Sequence, residues 1–286
     1  MKWILSVLCC IGLLIGSVCL IKNYMNTETI GMISWSDEVF EQNERSTLLE
    51  TLEELEVSSL YQHFSKDIPL EEVKAFIDEM EQREIDVYLI TGDPEWGTDP
   101  SGEQMIEQIA YAADLKQQLG NPECFRGVLM DTEPYLTEQW DTDAQHTMEA
   151  FVSGMKKTYQ YAKQQHITLI GCIPYFYDQK GFEKEVKELI AEGMDAVAVM
   201  NYFKKDELGQ IKTEADYAKQ ANKPLLVLYE FQQPGKYDLS ERNTYYHDGI
   251  DAAKESFYFL KKELGMHKME MVFHEYNSVR EMLENE

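Results

Sequence analysis

The chain has 286 residues, 44% of them apolar, which is ample for one large domain or two small ones around a proper core. Its 26 basic and 52 acidic residues leave a formal net charge of −26. A surface that negative repels phosphate backbones and anionic lipid, so nucleic acid is not an expected partner.

The first element is an apolar run from Trp3 to Ile21 (WILSVLCCIGLLIGSVCLI), flanked by Lys2 and Lys22. It is long enough to span a bilayer, and the apolar core of a secretory leader is usually shorter, roughly 7–15 residues. No clear small-x-small cleavage site follows it, and Cys19 lacks the upstream leucine of a lipobox. We read residues 1–22 as a single-pass membrane anchor, with a cleaved signal peptide as the alternative; both place the remainder outside the cytoplasmic membrane, at the cell surface or secreted. Residues 23–29 read as a polar linker, and residues 30–286 as one domain. Cys9, Cys10 and Cys19 fall inside the apolar run, which leaves Cys124 and Cys172: enough for one disulfide, and no Cys/His spacing of a metal site.

From residue 30 short β-type runs alternate with longer amphipathic stretches. Strands are expected at 30–35, 57–62, 86–91, 126–131, 167–174, 195–201, 224–230 and 269–274. Helices are expected at 46–55, 70–83, 103–119, 143–165, 182–191, 214–220, 248–264 and 279–283. Phe76, Ile77 and Met80 recur at helical spacing, as do Ile106, Ile109, Ala110 and Ala113. Pro69 opens one helix, and Gly120, Gly193 and Gly265 stand where three others should stop. Eight such units in this length have the rhythm of a (β/α)8 TIM barrel. The other α/β arrangement, an open doubly wound sheet, would carry a Gly-rich phosphate loop after the first strand, where Ser34-Trp35-Ser36-Asp37 stands instead.

Barrels of this kind carry their chemistry in the loops after the strands. Here those loops hold Trp35, His63, Glu95-Trp96, Asp131-Thr132-Glu133-Pro134-Tyr135, Tyr175, Asn201-Tyr202, Glu230 and His274-Glu275. Alternation along a strand puts Leu129, Asp131 and Glu133 on one side and Val128 and Met130 on the other. The same rule groups Ala196, Ala198, Met200 and Tyr202, and then Leu226, Leu228 and Glu230. If the acids face the barrel axis, then Val128, Met130, Val197, Val199, Leu225 and Val227 all face the helices, as apolar residues should. Parity is ambiguous for the first, fifth and eighth strands. Two inward carboxyls at one rim repel each other, so one should hold its proton near neutral pH while its partner stays ionised. Carboxylates that bind hydroxyls, beside aromatic faces that stack on sugar rings, suit a carbohydrate ligand.

At these residues the chain resembles the TIM-barrel glycoside hydrolases, along two branches. Asp131-Thr132-Glu133 and the stretch Asp195–Tyr202 (DAVAVMNY) resemble the fourth-strand Asp-x-x-Asp-x-Asp-x-Glu and sixth-strand Met-x-Tyr motifs of glycoside hydrolase family 18, the chitinase-like enzymes. Arg126 and Leu129 replace the first two aspartates, and the eighth strand offers Phe273-His274-Glu275 in place of a tryptophan. That resemblance implies substrate-assisted hydrolysis, with Glu133 as acid/base and Asp131 and Tyr202 orienting an N-acetyl group. Thr132-Glu133-Pro134 is also similar to the Asn-Glu-Pro of a clan of retaining barrels. That branch would make Glu230 the nucleophile, touched by Tyr202.

The resemblance implies a glycosidase with catalytic residues Glu133, Asp131, Tyr202 and Glu230. Trp35, Trp96, Tyr135, Tyr175, Asn201 and Glu275 are expected at the substrate, a poly- or oligosaccharide, one containing N-acetylhexosamine on the family 18 branch, without metal or cofactor. The rival reading is a non-catalytic glycan-binding barrel derived from a glycosidase. A metal-dependent hydrolase would need converging histidines. The chain has six His, of which His63 and His274 stand at strand ends, where a lone His is more often structural. There is no Gly-x-Ser-x-Gly elbow and no nucleotide motif.

Overall fold

A computed structural model describes residues 29–284. The Trp3–Ile21 run, Cys9, Cys10, Cys19 and the linker up to residue 28 lie outside the described residues. Eight strands, β1 (Thr29–Ser34), β2 (Ser59–Gln62), β3 (Asp86–Thr91), β4 (Phe125–Met130), β5 (Thr168–Pro174), β6 (Ala196–Met200), β7 (Leu225–Glu230) and β8 (Met269–His274), form a closed parallel barrel in sequence order. The ring shuts by parallel pairing of β1 with β8, Thr29 opposite Glu270 through Met32 opposite Phe273. Thr29 therefore belongs to the first strand and not to the linker.

Around the ring stand α1 (Gln42–Glu54), α2 (Leu70–Gln82), α3 (Glu103–Gln118), α4 (Glu138–Gln164), α5 (Glu183–Glu192), α6 (Glu207–Ala221), α7 (Gly249–Leu264) and α8 (Tyr276–Glu284). Among these described helices none is long and apolar enough to cross a membrane.

Alternation divides the core into two. Inside the barrel lie Ile33, Tyr61, Ile90, Leu129, Ile170, Cys172, Ala196, Ala198, Met200, Leu226, Leu228 and Val272. Val128, Met130, Val197, Val199, Leu225 and Val227 pack outward against the helices. The parity expected for β4, β6 and β7 is the one found, and Cys172 and Val272 resolve it for β5 and β8. Such layered interiors make the barrel a packed core and not a pore.

The largest difference from expectation is α6, which begins at Glu207 and not at Glu214. Asp206 caps it, accepting a hydrogen bond from the Gly209 amide at 3.1 Å. Its first two turns bury Glu207, Gln210 and Glu214 beside Ile211 and Ala215, so polar groups interrupt the apolar period that marks a helix. Likewise α4 begins five residues before the expected Asp143. Asp143 leaves helical geometry (φ −152°, ψ 76°), and its side chain accepts from the His146 amide at 3.0 Å, so the expected start is an internal cap. Cys124 and Cys172 are both buried free thiols, not a disulfide.

Candidate active site

The carboxyl ends of all eight strands meet at one rim, which opens into a cleft of about 910 Å³. Its floor is set by β4. The Asp131 amide donates to the Thr91 carbonyl at 2.8 Å, which extends the ladder one residue past the strand, so the inward parity of Leu129 carries on to Asp131. Glu133 then caps a short 3-10 turn, Pro134–Leu136, whose first residue is a proline that fixes the backbone leaving the strand. The turn brings Tyr135 back over the carboxylate, and its hydroxyl donates a very short hydrogen bond to Glu133 Oε1.

Asp131 Oδ1 is out of solvent and has no hydrogen-bond partner, although the residue lines the cleft. Burial raises the Asp131 pKa above the usual carboxylate range, against the Cys172 thiol and the His274 charge, which lower it. Glu133 is pushed up to about 7, first by burial and then by the Asp131 charge, while the Tyr135 hydroxyl and His274 pull it down. One group of this pair can hold a proton at neutral pH while the other carries charge, the division of labour that acid/base chemistry needs.

The opposite wall comes from β6, β7 and β8. Register places Glu230 directly beside His274, and His274 Nδ1 lies 2.8 Å from Glu230 Oε2. The other Glu230 oxygen accepts from the Gln232 amide at 2.7 Å, and the side chain is 3% exposed. Burial alone would lower the His274 pKa; the Glu230 carboxylate, helped by Asp131 and Glu275, outweighs it and raises the pKa. The imidazole lines the same cleft as the acid pair. Tyr202 stands beside it, ring centroids 5.9 Å apart, and burial together with Glu230 lifts the Tyr202 phenol well above its ordinary pKa. It is a neutral hydroxyl at any physiological pH.

Of the residues singled out from sequence, Asp131, Glu133, Tyr135, Tyr175, Tyr202, Glu230, Glu275 and Trp35 all line this cleft. Glu275 does so with its carboxylate already engaged. It caps α8, accepting from the Ser278 amide and hydroxyl at 3.0 and 2.8 Å and from the Asn277 amide at 3.2 Å. Two residues are elsewhere. Asn201 is 3% exposed and donates to the Glu207 carbonyl at 3.1 Å, which holds the start of α6. Trp96 sits in the 3-10 turn after β3 and packs against the outer core.

His63 pairs with Asp37 at 3.2 Å and is not in the cleft wall. The sequence reading set His274 aside as a structural strand-end histidine, with the parity of β8 open, and it passed over the loop residues Lys236, Tyr237 and Leu239, which also line the cleft. Among the described residues no group of three or more His, Cys, Asp and Glu side chains is placed to hold a metal ion.

Comparison with known proteins places the fold. No protein-family model matches the chain, and no curated protein matches it by sequence. Solved structures do match, and they include glycoside hydrolases. A chitinase from Chromobacterium violaceum aligns with 90% of this chain and 98% of its own, at 11% identity and TM-score 0.54. An intracellular xylanase from Thermoanaerobacterium saccharolyticum aligns with 87% of this chain and 85% of its own, at 11% identity and TM-score 0.56. The catalytic domain of a mannanase from a Streptomyces species aligns with 87% and 75%, at 13% identity and TM-score 0.55. The chain thus has the closed eight-stranded barrel of the TIM-barrel glycosidases. At this identity the likeness is one of fold, and chemistry has to be argued from the site.

Proposed function

We propose that the protein is a retaining glycosidase acting on a glycan that contains N-acetylhexosamine, with Glu133 as proton donor and the substrate's own acetamide as nucleophile. The observation that carries this reading is Asp131 and Glu133 on one strand side at the cleft, with Tyr202 lining the same cleft. A carboxylate beside the proton donor is suited to accept from a donor brought by the substrate, such as an acetamide N–H. In the first step Glu133 protonates the glycosidic oxygen as the C–O bond breaks. The acetamide oxygen closes on the anomeric carbon, and Asp131 takes the hydrogen bond of the amide. Water then attacks the same carbon with Glu133 as base, which restores the acetamide with net retention.

Tyr202 offers a neutral hydroxyl to the same group. Glu230 is a weaker candidate for nucleophile, since both its oxygens are engaged and it is 3% exposed. Its role in this reading is to hold His274 and raise its pKa.

The chain should release a product of retained anomeric configuration from N-acetylated oligosaccharides, read by NMR during the first turnovers. Equal rates on the same glycans after de-N-acetylation would remove substrate assistance and return Glu230 to consideration. The proposed place of action is the cell surface, with Trp3–Ile21 as anchor or leader; the support is a run of uncharged residues flanked by Lys2 and Lys22. Protease applied to intact cells should then degrade the barrel, and full protection would refute an outward location.

A further inference from the structure

The loop between β7 and α7, residues 231–248, forms one wall of the cleft through Gln232, Lys236, Tyr237 and Leu239. It is pinned to the rim from several sides. Asn243 Nδ2 donates to the Tyr202 carbonyl at 2.8 Å, the Tyr245 amide donates to the Glu230 carbonyl at 2.8 Å, and Lys236 Nζ lies 3.4 Å from Glu281 on α8.

The tip of this loop is a tight turn. The Leu239 amide donates to the Lys236 carbonyl, and the Gly235 amide to the Leu239 carbonyl, each at 2.9 Å. Its two central residues, Tyr237 and Asp238, have φ of 50° and 59°, the left-handed region that turns of this kind usually fill with Asn and Gly. A bulky aromatic is disfavoured there, and such a conformation persists where something other than local comfort selects the residue.

Packing does not select it. Tyr237 is 85% exposed, the most exposed large hydrophobic side chain among the described residues. It is also not isolated. Trp35 at 37% and Leu136 at 61% are two more of the six exposed large hydrophobic residues, and both line the same cleft. They follow β1 and β4, while Tyr237 follows β7, so the apolar surfaces are spread around the rim and the carboxyls lie at the floor between them. Three strand spacings amount to roughly 14 Å along the ring, more than one sugar ring covers.

Taking the glycan reading of the site as its basis, we infer that Tyr237 is a stacking platform for a sugar unit away from the point of cleavage. The cleft therefore takes the interior of a glycan chain and not only its end, and Tyr237 sets the preference for long substrates. An exposed aromatic face offers a sugar ring apolar area without a rigid pocket.

The test uses the full chain carrying Glu133→Gln, which binds without cleaving. Affinities for the dimer and the hexamer of β-1,4-linked N-acetylglucosamine are measured by titration calorimetry. The hexamer should bind more tightly than the dimer. Adding Tyr237→Ala should weaken hexamer binding about tenfold and shrink the hexamer-to-dimer ratio accordingly, whereas Tyr237→Phe should keep the ratio. Both variants retain a Cβ at a left-handed position, so the turn itself is equally strained in each. The inference is overturned if Tyr237→Ala binds the hexamer as tightly as its parent, if it loses the same factor on both probes, or if neither probe binds. Turnover is measured separately with Glu133 intact. A chain that cleaves no glycan but keeps the Tyr237-dependent length preference sinks the hydrolase reading and leaves the platform standing.

Discussion

Glu133→Gln should lower turnover by about 10³-fold, in the range expected for removing a positioned general acid, while making the barrel more stable at neutral pH. The two effects have one cause. The pKa of Glu133 is pushed up to about 7 by burial and by the Asp131 charge, so the site holds a proton donor where an ordinary glutamate would be ionised. In the parent chain kcat/KM should fall as pH rises through about 7, because Glu133 must be protonated to release the leaving group. The Tyr135 hydroxyl stabilises the ionised form, so Tyr135→Phe should carry that basic limb to higher pH.

The sign of the stability effect follows from linkage. The folded pKa lies above the unfolded one, so between about 4.5 and 7 the folded state binds more protons, and stability falls as pH rises across that window. Above pH 7 the ionised Glu133 costs about 3 kcal/mol, which a neutral glutamine avoids. The variant should therefore melt ~8 °C higher than its parent at pH 8 and level with it below pH 4.5. Parent-like turnover in Glu133→Gln would end the assignment. Loss of turnover with a lowered melting temperature at pH 8 would point instead to a damaged fold.

Gly92→Ala should be the most destabilising exchange at the rim, costing about 3 kcal/mol and reducing activity ~10²-fold in whatever folds. Gly92 follows β3 where that strand passes the end of β4. A Cβ built there would lie 1.8 Å from the Asp131 carbonyl oxygen and 2.4 Å from its carbonyl carbon. No rotamer relieves a contact between a Cβ and a neighbouring backbone, so β4 would have to move, and Asp131 and Glu133 with it. Denaturant midpoints and kcat measured together decide the point. A variant with parent stability would mean that the two strand ends are not held so closely.

The barrel was legible because alternation survives at every strand that shows it. Once Asp131 and Glu230 are taken to face the axis, Val128, Met130, Val197, Val199, Leu225 and Val227 all fall against the helices, as they do in the fold. What lay beyond reach depended on pairing between distant segments. Glu230 reads as a candidate nucleophile until β7 and β8 are set in register and His274 is beside it. Asn201 and Trp96 stand at strand ends, as ligand-binding residues do, yet one is drawn under α6 and the other turned into the outer core by a 3-10 turn. Tyr237 lies in a segment with no periodicity, and only its left-handed turn and its exposure distinguish it. The buried face of α6 hid the start of that helix for a related reason: the pattern marks burial of apolar groups, and here Glu207, Gln210 and Glu214 share that face with Ile211 and Ala215.

The seam between β1 and β8 joins the two ends of the described chain, with Thr29 Oγ1 donating to the Met269 carbonyl across 240 residues. During synthesis seven strands emerge before the eighth exists, so the ring stays open, with two bare strand edges, until residues 269–274 have left the ribosome. The acid pair on β4 is made midway, but the imidazole that completes its surroundings arrives with the last strand. Assembly of the chemical site and closure of the ring are thus the same event. A chain halted before residue 269 carries both carboxyls yet has neither a shut barrel nor His274 to face them.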